Sequence, residues 1–308
     1  MMKTTEQGQP SPRAHSTRRG AGIVAGTTVP ASLQAAGENW LRIDGRRRWF
    51  PDLRAAYQSR RLIMLFSRRD ITVMYRQTVM GSIWILVAPL LTAGLFTLVF
   101  GHVAHLSSNG VPYFPFSYAG LLGWNLFAGS LTGASPSIVS NSQLFTRIYF
   151  PRLVLPISTL APTLINTAIS CVIMFVLLVA YKLGFSLRLL LLPGWLALDI
   201  LLSFGISLVL SAVAVLYRDV QYATQAVLPL LLFLTPVAYS SAAVPESLKP
   251  IYFLNPMATI VDGCRWSLVG HTELSPWAVV YTVIITLVCL LIGLVVFARL
   301  ESKFADVV

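Results

Sequence analysis

The short segment NSQLFTRIYFPR, Asn141–Arg152, separates two long apolar runs of the chain. It holds two arginines, a proline and three aromatic residues, but no acid. Hydrophobic residues make up 56% of the whole chain and charged residues only 11%, against about 25% charged residues in a soluble domain. One soluble core cannot bury so much apolar surface, so the composition predicts an integral membrane protein in which this segment is a short surface loop.

Six apolar segments are long enough, at about 1.5 Å per residue, to cross about 30 Å of hydrocarbon. They are Ser82–Phe100, Phe116–Val139, Leu153–Tyr181, Leu190–Leu216, Thr224–Tyr239 and Trp277–Ala298. The semi-apolar stretch between the fifth and sixth segments predicts re-entrant gate helices, whose backbone must be satisfied by protein or water. The sequence therefore predicts an all-α protein with a six-span transmembrane domain over residues 82–308.

The placement of basic residues predicts the orientation. With the amino terminus in the cytoplasm, 19 of the 23 Lys and Arg residues lie on the inner side and four on the outer side. The positive-inside rule then predicts that both termini are cytoplasmic. Fourteen basic residues lie in residues 1–81 and the others are scattered, a placement that argues against a nucleic-acid-binding face despite the net charge of +11.

Two regions precede the first span. Residues 1–48 are rich in Gly, Ser, Thr, Pro and Arg, which predicts a disordered cytoplasmic extension and no signal peptide. Residues 49–81 mix arginines with large apolar residues, and Leu62, Leu65, Phe66 and Val73 fall near one helical face. This pattern predicts a basic amphipathic helix at the membrane surface with its arginines toward lipid phosphates. An ordinary cytoplasmic helix with a solvated charged side is the alternative.

Motifs for catalysis and nucleotide binding are absent from the sequence. No lysine follows a glycine, which rules out a Walker A motif, and there is no HExxH or GxSxG. His102 and His105 have no further metal ligands nearby in the sequence. Asp199, the one acid inside a span, lies 17 residues or about 25 Å from Leu216, which predicts a wetted carboxylate near the outer surface. These features predict a transport protein that has no energy source of its own, no catalytic site and no bound cofactor.

Five stretches, in this order and spacing over residues 60–308, resemble the membrane subunits of type-2 ABC exporters of cell-surface polysaccharide, the permeases for O-antigen, capsule and teichoic acid. They are RRDITVMYRQTVMGSIWILVAPLL (Arg68–Leu91), NSQLFTRIYFPRLVLPIS (Asn141–Ser158), SAVAVLYRDVQY (Ser211–Tyr222), LTPVAYS with LNPMATIVDGCRWSL (Leu234–Ser240 and Leu254–Leu268) and FARLESKFADVV (Phe297–Val308). The resemblance implies the permease half of an ATP-driven exporter of polyprenyl-pyrophosphate-linked polysaccharide in the bacterial inner membrane. It also implies a homodimer with two copies of a separate ATPase, which binds ATP and magnesium.

The resemblance further assigns two groups of residues to the ATPase partner. The loop Asn141–Arg152 corresponds to the family's coupling helix, with Asn141, Phe145, Arg147, Tyr149 and Arg152 as contacts. The turn with Arg218 and Asp219 corresponds to a second cytoplasmic contact. A structural loop whose arginines only fix topology is the alternative for the first group, and a local ion pair or cap is the alternative for the second.

Two further groups are expected to meet the cargo. Arg69, Tyr75 and Arg76 correspond to the region that receives the lipid pyrophosphate, and guanidinium groups make forked bonds to phosphate. Anchoring to anionic lipid is the alternative for these arginines. Sugar C–H faces pack against aromatic rings, so aromatic residues are expected in the channel wall, with ordinary packing as the alternative. The candidates are Phe96, Phe100, Trp124, Phe127 and Tyr239.

Three other functions remain open from the sequence. The first is a type-2 ABC permease for a drug or lipid, and the second is an ion-coupled carrier that depends on Asp199. The third is a membrane-embedded transferase, which needs clustered acids or histidines. The outer acids Glu246, Asp262 and Glu273 do not cluster in the sequence, and Asp262 with Arg265 has the spacing of an i,i+3 ion pair.

Overall fold

The computed structural model describes residues 51, 53–75, 83–145, 150–270, 274–301 and 304, with only the backbone described for Tyr75 and Phe145. These residues all lie in one compact unit, Arg47–Val308. Their regular structure is helical, with no strand within these ranges. The predictions for residues 1–48, for Arg76, Arg147 and Tyr149, and for the side chains of Tyr75 and Phe145 lie outside the described residues.

The helices follow the predicted order along the chain. A π-helical stretch, Thr97–Val103, continues α3, and short 3₁₀ turns cover Val139–Asn141, Leu187–Leu191 and Ser241–Ala243. The α-helices are α1 (Leu53–Gln58), α2 (Arg60–Tyr75), α3 (Ile83–Phe96), α4 (Tyr113–Ala134), α5 (Ser142–Phe145), α6 (Val154–Ser158), α7 (Leu160–Ala180), α8 (Leu192–Leu216), α9 (Asp219–Leu234), α10 (Lys249–Tyr252), α11 (Pro256–Leu268) and α12 (Pro276–Glu301).

Four helical stretches are long and apolar enough to cross a membrane: Ile83–Val103, Val154–Ala180, Leu187–Leu216 and Pro276–Glu301. They coincide with predicted spans one, three, four and six, which confirms the prediction of a helical membrane protein. The fifth span corresponds to α9, a shorter apolar helix of 16 residues or about 24 Å. The second corresponds to α4, which has 22 residues but carries many Gly, Ser and Thr. The count of six spans stays a prediction.

The central helix is α4, which packs against α3, α7, α8, α9 and α11. Small residues allow this close packing. A Cβ on Gly129 would lie 3.0 Å from Cγ2 of Thr163, and one on Gly133 would lie 3.6 Å from Thr159. The GxxxG pair of the sequence therefore brings α4 against α7 within one chain. In the same way, α8 and α12 cross where Gly205 meets Gly293.

Gly123 of α4 lies against Asp199 of α8, and further along both helices Ser130 lies against Ser207, so the two helices run parallel and their carboxyl ends lie at the same end of the helix assembly. Ser207 on α8 donates a hydrogen bond to the carbonyl of Ser130 on α4 at 3.2 Å. The same end holds Arg152, which donates to the main-chain carbonyl of Glu301 near the end of α12. We call this the Asn141 end. The positive-inside rule predicts that it is cytoplasmic.

The opposite end, which we call the Arg265 end, gathers the amino ends of α4, α8 and α12 with α10 and α11. Arg188 donates to the carbonyl of Gly270 at 2.8 Å, and its guanidinium carbon lies 5.2 Å from the ring of Trp266. Asn109 donates to Oγ of Ser240 at 2.9 Å. The stretch between α9 and α12, predicted to form gate helices, is helical in α10 and α11. Its re-entrant path through a bilayer stays a prediction.

Candidate functional site

The amphipathic helix α2 is fixed to the transmembrane helices through one side. Phe66 packs against Phe150 with ring centroids 5.7 Å apart, beside partly buried Leu62. Ser67 donates to the carbonyl of Ser158 at 3.3 Å. Leu65 and Val73, expected on the same apolar face as Leu62 and Phe66, are instead 60% and 68% exposed. The apolar residues of α2 are thus divided between a protein contact and an open side.

Arg69 on α2 joins two groups of residues that the sequence analysis treated separately. Its Nε and Nη2 donate to Oδ1 of Asp70 at 2.9 and 2.8 Å, and its Nη1 donates to Oδ1 of Asn141 at 2.8 Å. The guanidinium also lies 5.1 Å from the ring centroid of Phe66. A predicted cargo contact, Arg69, therefore touches a predicted ATPase contact, Asn141, 72 positions away in the sequence.

A cavity of about 710 Å³ opens beside this contact, between α3, α4 and α7. Arg69, Asp70 and Asn141 line the part of the cavity at the Asn141 end, which we call its mouth. Trp84 of α3 supplies an aromatic wall, and hydroxyl and amide side chains line much of the remainder. The polar lining residues on α3, α4 and α7 include Thr92, Asn125, Thr132, Thr163, Asn166 and Thr167.

The aromatic residues predicted for the channel lie elsewhere. They are Phe96, Phe100, Trp124, Phe127 and Tyr239, and none of them lines this cavity. Phe96, Trp124 and Phe127 are buried in the core around α4, where Trp124 and Phe127 pack with ring centroids 5.8 Å apart. Phe100 and Tyr239 are partly buried against the same core. A channel role for these five residues stays a prediction.

The predicted ATPase contacts differ in their surroundings. Arg152 donates to the main-chain carbonyl of Glu301, and its guanidinium lies 5.6 Å from the ring centroid of Phe304. These contacts tie the loop to the end of α12. Arg218 and Asp219 are both exposed at the start of α9, with no side-chain cap from Arg218. Contact of these residues with an ATPase stays a prediction.

Arg265 forms a second arginine centre, at the opposite end of the helices. Its side chain is fully buried in α11. Nε donates to the carbonyl of Phe116 at 3.2 Å, Nη1 to that of Tyr239 at 3.0 Å and Nη2 to that of Val237 at 2.5 Å. The guanidinium carbon lies 3.9 Å from the ring centroid of Phe116. Arg265 therefore joins α11 to α4 and to the segment that follows α9.

Two neighbours complete the Arg265 centre. Oδ1 of Asp262 lies 3.7 Å from Nη1, which confirms the predicted i,i+3 pair. Gly120 leaves room for the guanidinium, because a Cβ there would lie 2.6 Å from Nη2. The sequence predicted the pairing of Arg265 with Asp262 but not the burial of its side chain. The available signal was two opposite charges within the apolar run ATIVDGCRWSLV.

Asp199 is fully buried on α8, so the prediction of a wetted carboxylate is wrong. Gly123 of α4 lies against both Asp199 and Cys264 of α11, since a Cβ on Gly123 would lie 3.8 Å from Oδ2 and 3.6 Å from Sγ. Both carboxylate oxygens lack a hydrogen-bond partner among the described residues. The prediction used the helical rise to place Asp199 along α8. The rise does not show which neighbouring helices cover the side of α8 on which Asp199 lies.

Sequence comparisons place the chain among known transporters. The family model described as ABC-2 type transporter matches residues 61–269, more than half of the chain. The chain belongs to this family. The ABC-2 match begins in α2 and ends just after α11, so it includes both arginine centres and the cavity. Because members are transport subunits, the chain is a multi-pass transport protein of the bacterial inner membrane.

Curated relatives in the ABC-2 family are similar over most of their length. The chain is 27% identical over 257 residues to the O-antigen export system permease protein RfbA of Myxococcus xanthus, covering 82% of this chain and 98% of the relative. It is 26% identical over 247 residues to the protein of the same name from Klebsiella pneumoniae, covering 80% and 94%. The polysialic acid transport protein KpsM of Escherichia coli is 24% identical over 242 residues, covering 76% and 91%.

Proposed function

We propose that this chain is the permease half of an ATP-driven exporter of lipid-linked polysaccharide. The observation that carries the proposal is the contact between Arg69 and Asn141 beside a cavity with hydroxyl and amide groups in its lining, in a chain of the ABC-2 family. The names of the relatives, an O-antigen permease and a polysialic acid transport protein, support a polysaccharide cargo. The ABC-2 family implies a separate ATPase, which supplies the energy that this chain lacks.

The Arg69 centre suits a pyrophosphate carried at the membrane surface. The guanidinium has five N–H donors, and three bonds to Asp70 and Asn141 are present. One N–H on Nη1 and one on Nη2 remain for an anion. The Arg69 side chain is 40% exposed, so a phosphate can reach it, and charge-assisted bonds to phosphate are roughly twice as strong as neutral ones.

The Arg69–Asn141 contact also supplies a route from cargo to energy source. Asn141 begins the segment that the resemblance assigns to the ATPase contact, and its Nδ2 donates to the carbonyl of Ser137 at 2.8 Å. A phosphate that draws Arg69 from Asn141 would release the side-chain oxygen of Asn141 at the start of this segment. Movement of the segment by the ATPase would in turn alter the cargo contact. Two chains and two ATPase subunits complete the proposed exporter.

Transport in vesicles tests the proposal. The chain and its ATPase partner are reconstituted together, and glycosidase protection measures the movement of the host's lipid-linked polysaccharide. We expect protection that requires hydrolysable ATP. A fluorescent drug and a labelled phospholipid serve as alternative cargos. ATP-dependent movement of either one, with none of the polysaccharide, would contradict the cargo assignment.

Asp199 favours an ion-coupled carrier as a second candidate, because a buried acid without a described partner is a common proton site in transporters. The Asp199→Asn variant separates the two functions in the same vesicles. The exporter account expects ATP-dependent transport to persist at an equal protein level. Loss of transport in this variant, with movement driven by a proton gradient in the wild type, would favour the carrier.

A further inference from the structure

The cavity between α3, α4 and α7 extends well beyond the Arg69 contact. Its volume of about 710 Å³ lies within the roughly 300–1,000 Å³ range of small-ligand sites. Asn125, which lines it, is 12 residues from the start of α4 and nine from its end. At about 1.5 Å per residue, the cavity therefore extends along α4 for at least about 14 Å from the Asn141 end. It has room for more than a phosphate.

Asn125 indicates that the occupant is polar. It is exposed while its neighbours Trp124 and Leu126 are buried, and its amide has no hydrogen-bond partner among the described residues. An amide without a hydrogen-bond partner is unfavourable wherever lipid or apolar side chains exclude water. Near the middle of a helix that packs among membrane spans, this amide needs water or a polar ligand.

The threonines of the cavity indicate a ligand that donates hydrogen bonds. The hydroxyls of Thr92, Thr132 and Thr167 each donate to the carbonyl four residues earlier, at 2.9, 2.7 and 2.9 Å. Their own protons are engaged, so the oxygens offer only acceptor lone pairs. Sugar hydroxyls are donors that match such acceptors. The phosphodiester and ester oxygens of a phospholipid only accept and do not match them.

Trp84 and Arg69 complete the chemistry at the cavity. Trp84 is 49% exposed, so its ring is open to the C–H face of a sugar. Arg69 at the mouth can bind the phosphate to which that sugar is attached. Hydroxyl acceptors, an aromatic wall and a phosphate contact together fit a glycosyl phosphate better than either a phosphate or a lipid alone.

We propose that this cavity, within a single chain, binds the phosphate-proximal sugars of the lipid-linked cargo. The inference rests on the proposed function and adds the site that reads the sugar. The pyrophosphate lies at Arg69, the threonine oxygens accept hydrogen bonds from hydroxyls of the first sugars, and the Asn125 amide can both donate and accept. A membrane glycolipid also carries sugar hydroxyls next to a lipid, so it is the alternative ligand for this cavity.

Binding to the purified full chain in nanodiscs tests the site. The probes are lipid-linked glycan extracted from the host, the same polyprenyl pyrophosphate without sugar, and phosphatidylglycerol and host glycolipid as competitors. We expect the glycan-bearing probe to bind the wild type at least tenfold more tightly than the sugar-free lipid. Asn125→Leu and Thr132→Val should each reduce that preference roughly fivefold, as expected for the loss of about one hydrogen bond.

Thr224→Val is the matched control. Thr224 on α9 donates to the carbonyl of Val220 at 2.7 Å in the same way as Thr132, but it does not line the cavity. We expect this variant to keep the wild-type preference. Thermal unfolding of each variant checks that the chain is folded. Thr132 is exposed, so Thr132→Val should fold and can test the site even if Asn125→Leu does not fold.

The outcomes separate this inference from the proposed function. Equal affinity for the two lipid probes in the wild type, or an unchanged preference in both cavity variants, would overturn the sugar site and leave the exporter intact. Competition by phosphatidylglycerol or host glycolipid as strong as that by the glycan would also overturn it. No binding of either lipid pyrophosphate, with a folded wild-type chain, would count against the proposed function itself.

Discussion

Two arginines at opposite ends of the helices have contrasting environments. Arg69 is 40% exposed and bonds to the side chains of Asp70 and Asn141. Arg265 is fully buried and bonds to three main-chain carbonyls. A ligand can replace the side-chain partners of Arg69, because water can solvate Asp70 and Asn141 once they are released. Main-chain carbonyls without water have no such replacement, so the Arg265 contacts must persist for the fold to persist.

The comparison shows that residue type alone does not predict role in a membrane protein. Both residues are arginines on helices, and each lies within three positions of an acid in the sequence. The partners and the burial distinguish a residue that can exchange contacts with cargo from one that fixes the structure. The predictions below test this distinction, beginning with the largest expected effect.

Arg265→Gln should prevent or severely weaken folding. The change leaves the carboxylate of Asp262 buried without its cation and removes donors from three carbonyls, and breaking a buried pair typically costs about 3–5 kcal/mol. We expect little monodisperse protein after detergent extraction and a strongly lowered unfolding midpoint. Arg188→Gln, at the same end of the helices but exposed, is the matched control. If Arg265→Gln and Arg188→Gln had equal unfolding midpoints, Arg265 would not have the structural role that distinguishes it from Arg69.

Arg69→Gln should leave the fold nearly unchanged. The exposed pair with Asp70 contributes about 1 kcal/mol or less, as is usual for surface ion pairs. The unfolding midpoint in detergent should therefore lie close to that of Arg68→Gln, the adjacent exposed arginine, which does not line the cavity. An unfolding midpoint lowered as far as that of Arg265→Gln would show that Arg69 is structural as well.

The sequence predicted the membrane class and four of the spans because long apolar runs are local features. It predicted the i,i+3 pair of Asp262 and Arg265 for the same reason. It predicted the exposure of Asp199 wrongly, since burial depends on α4 and α11, which come from distant parts of the chain. The Arg69–Asn141 contact and the cavity likewise depend on the packing of α2, α3, α4 and α7, and no spacing along the chain indicates them.

The most direct test of the account measures ATP hydrolysis by the reconstituted permease–ATPase complex, with and without lipid-linked glycan. The account predicts that cargo stimulates hydrolysis in the wild type and in Arg68→Gln. In Arg69→Gln and in Asn141→Leu the stimulation of ATP hydrolysis should fall at least tenfold. The double variant should show the same stimulation as either single variant, because both changes remove the same contact. Full stimulation in both single variants, with the ATPase still bound, would contradict a link from cargo to coupling segment through this contact.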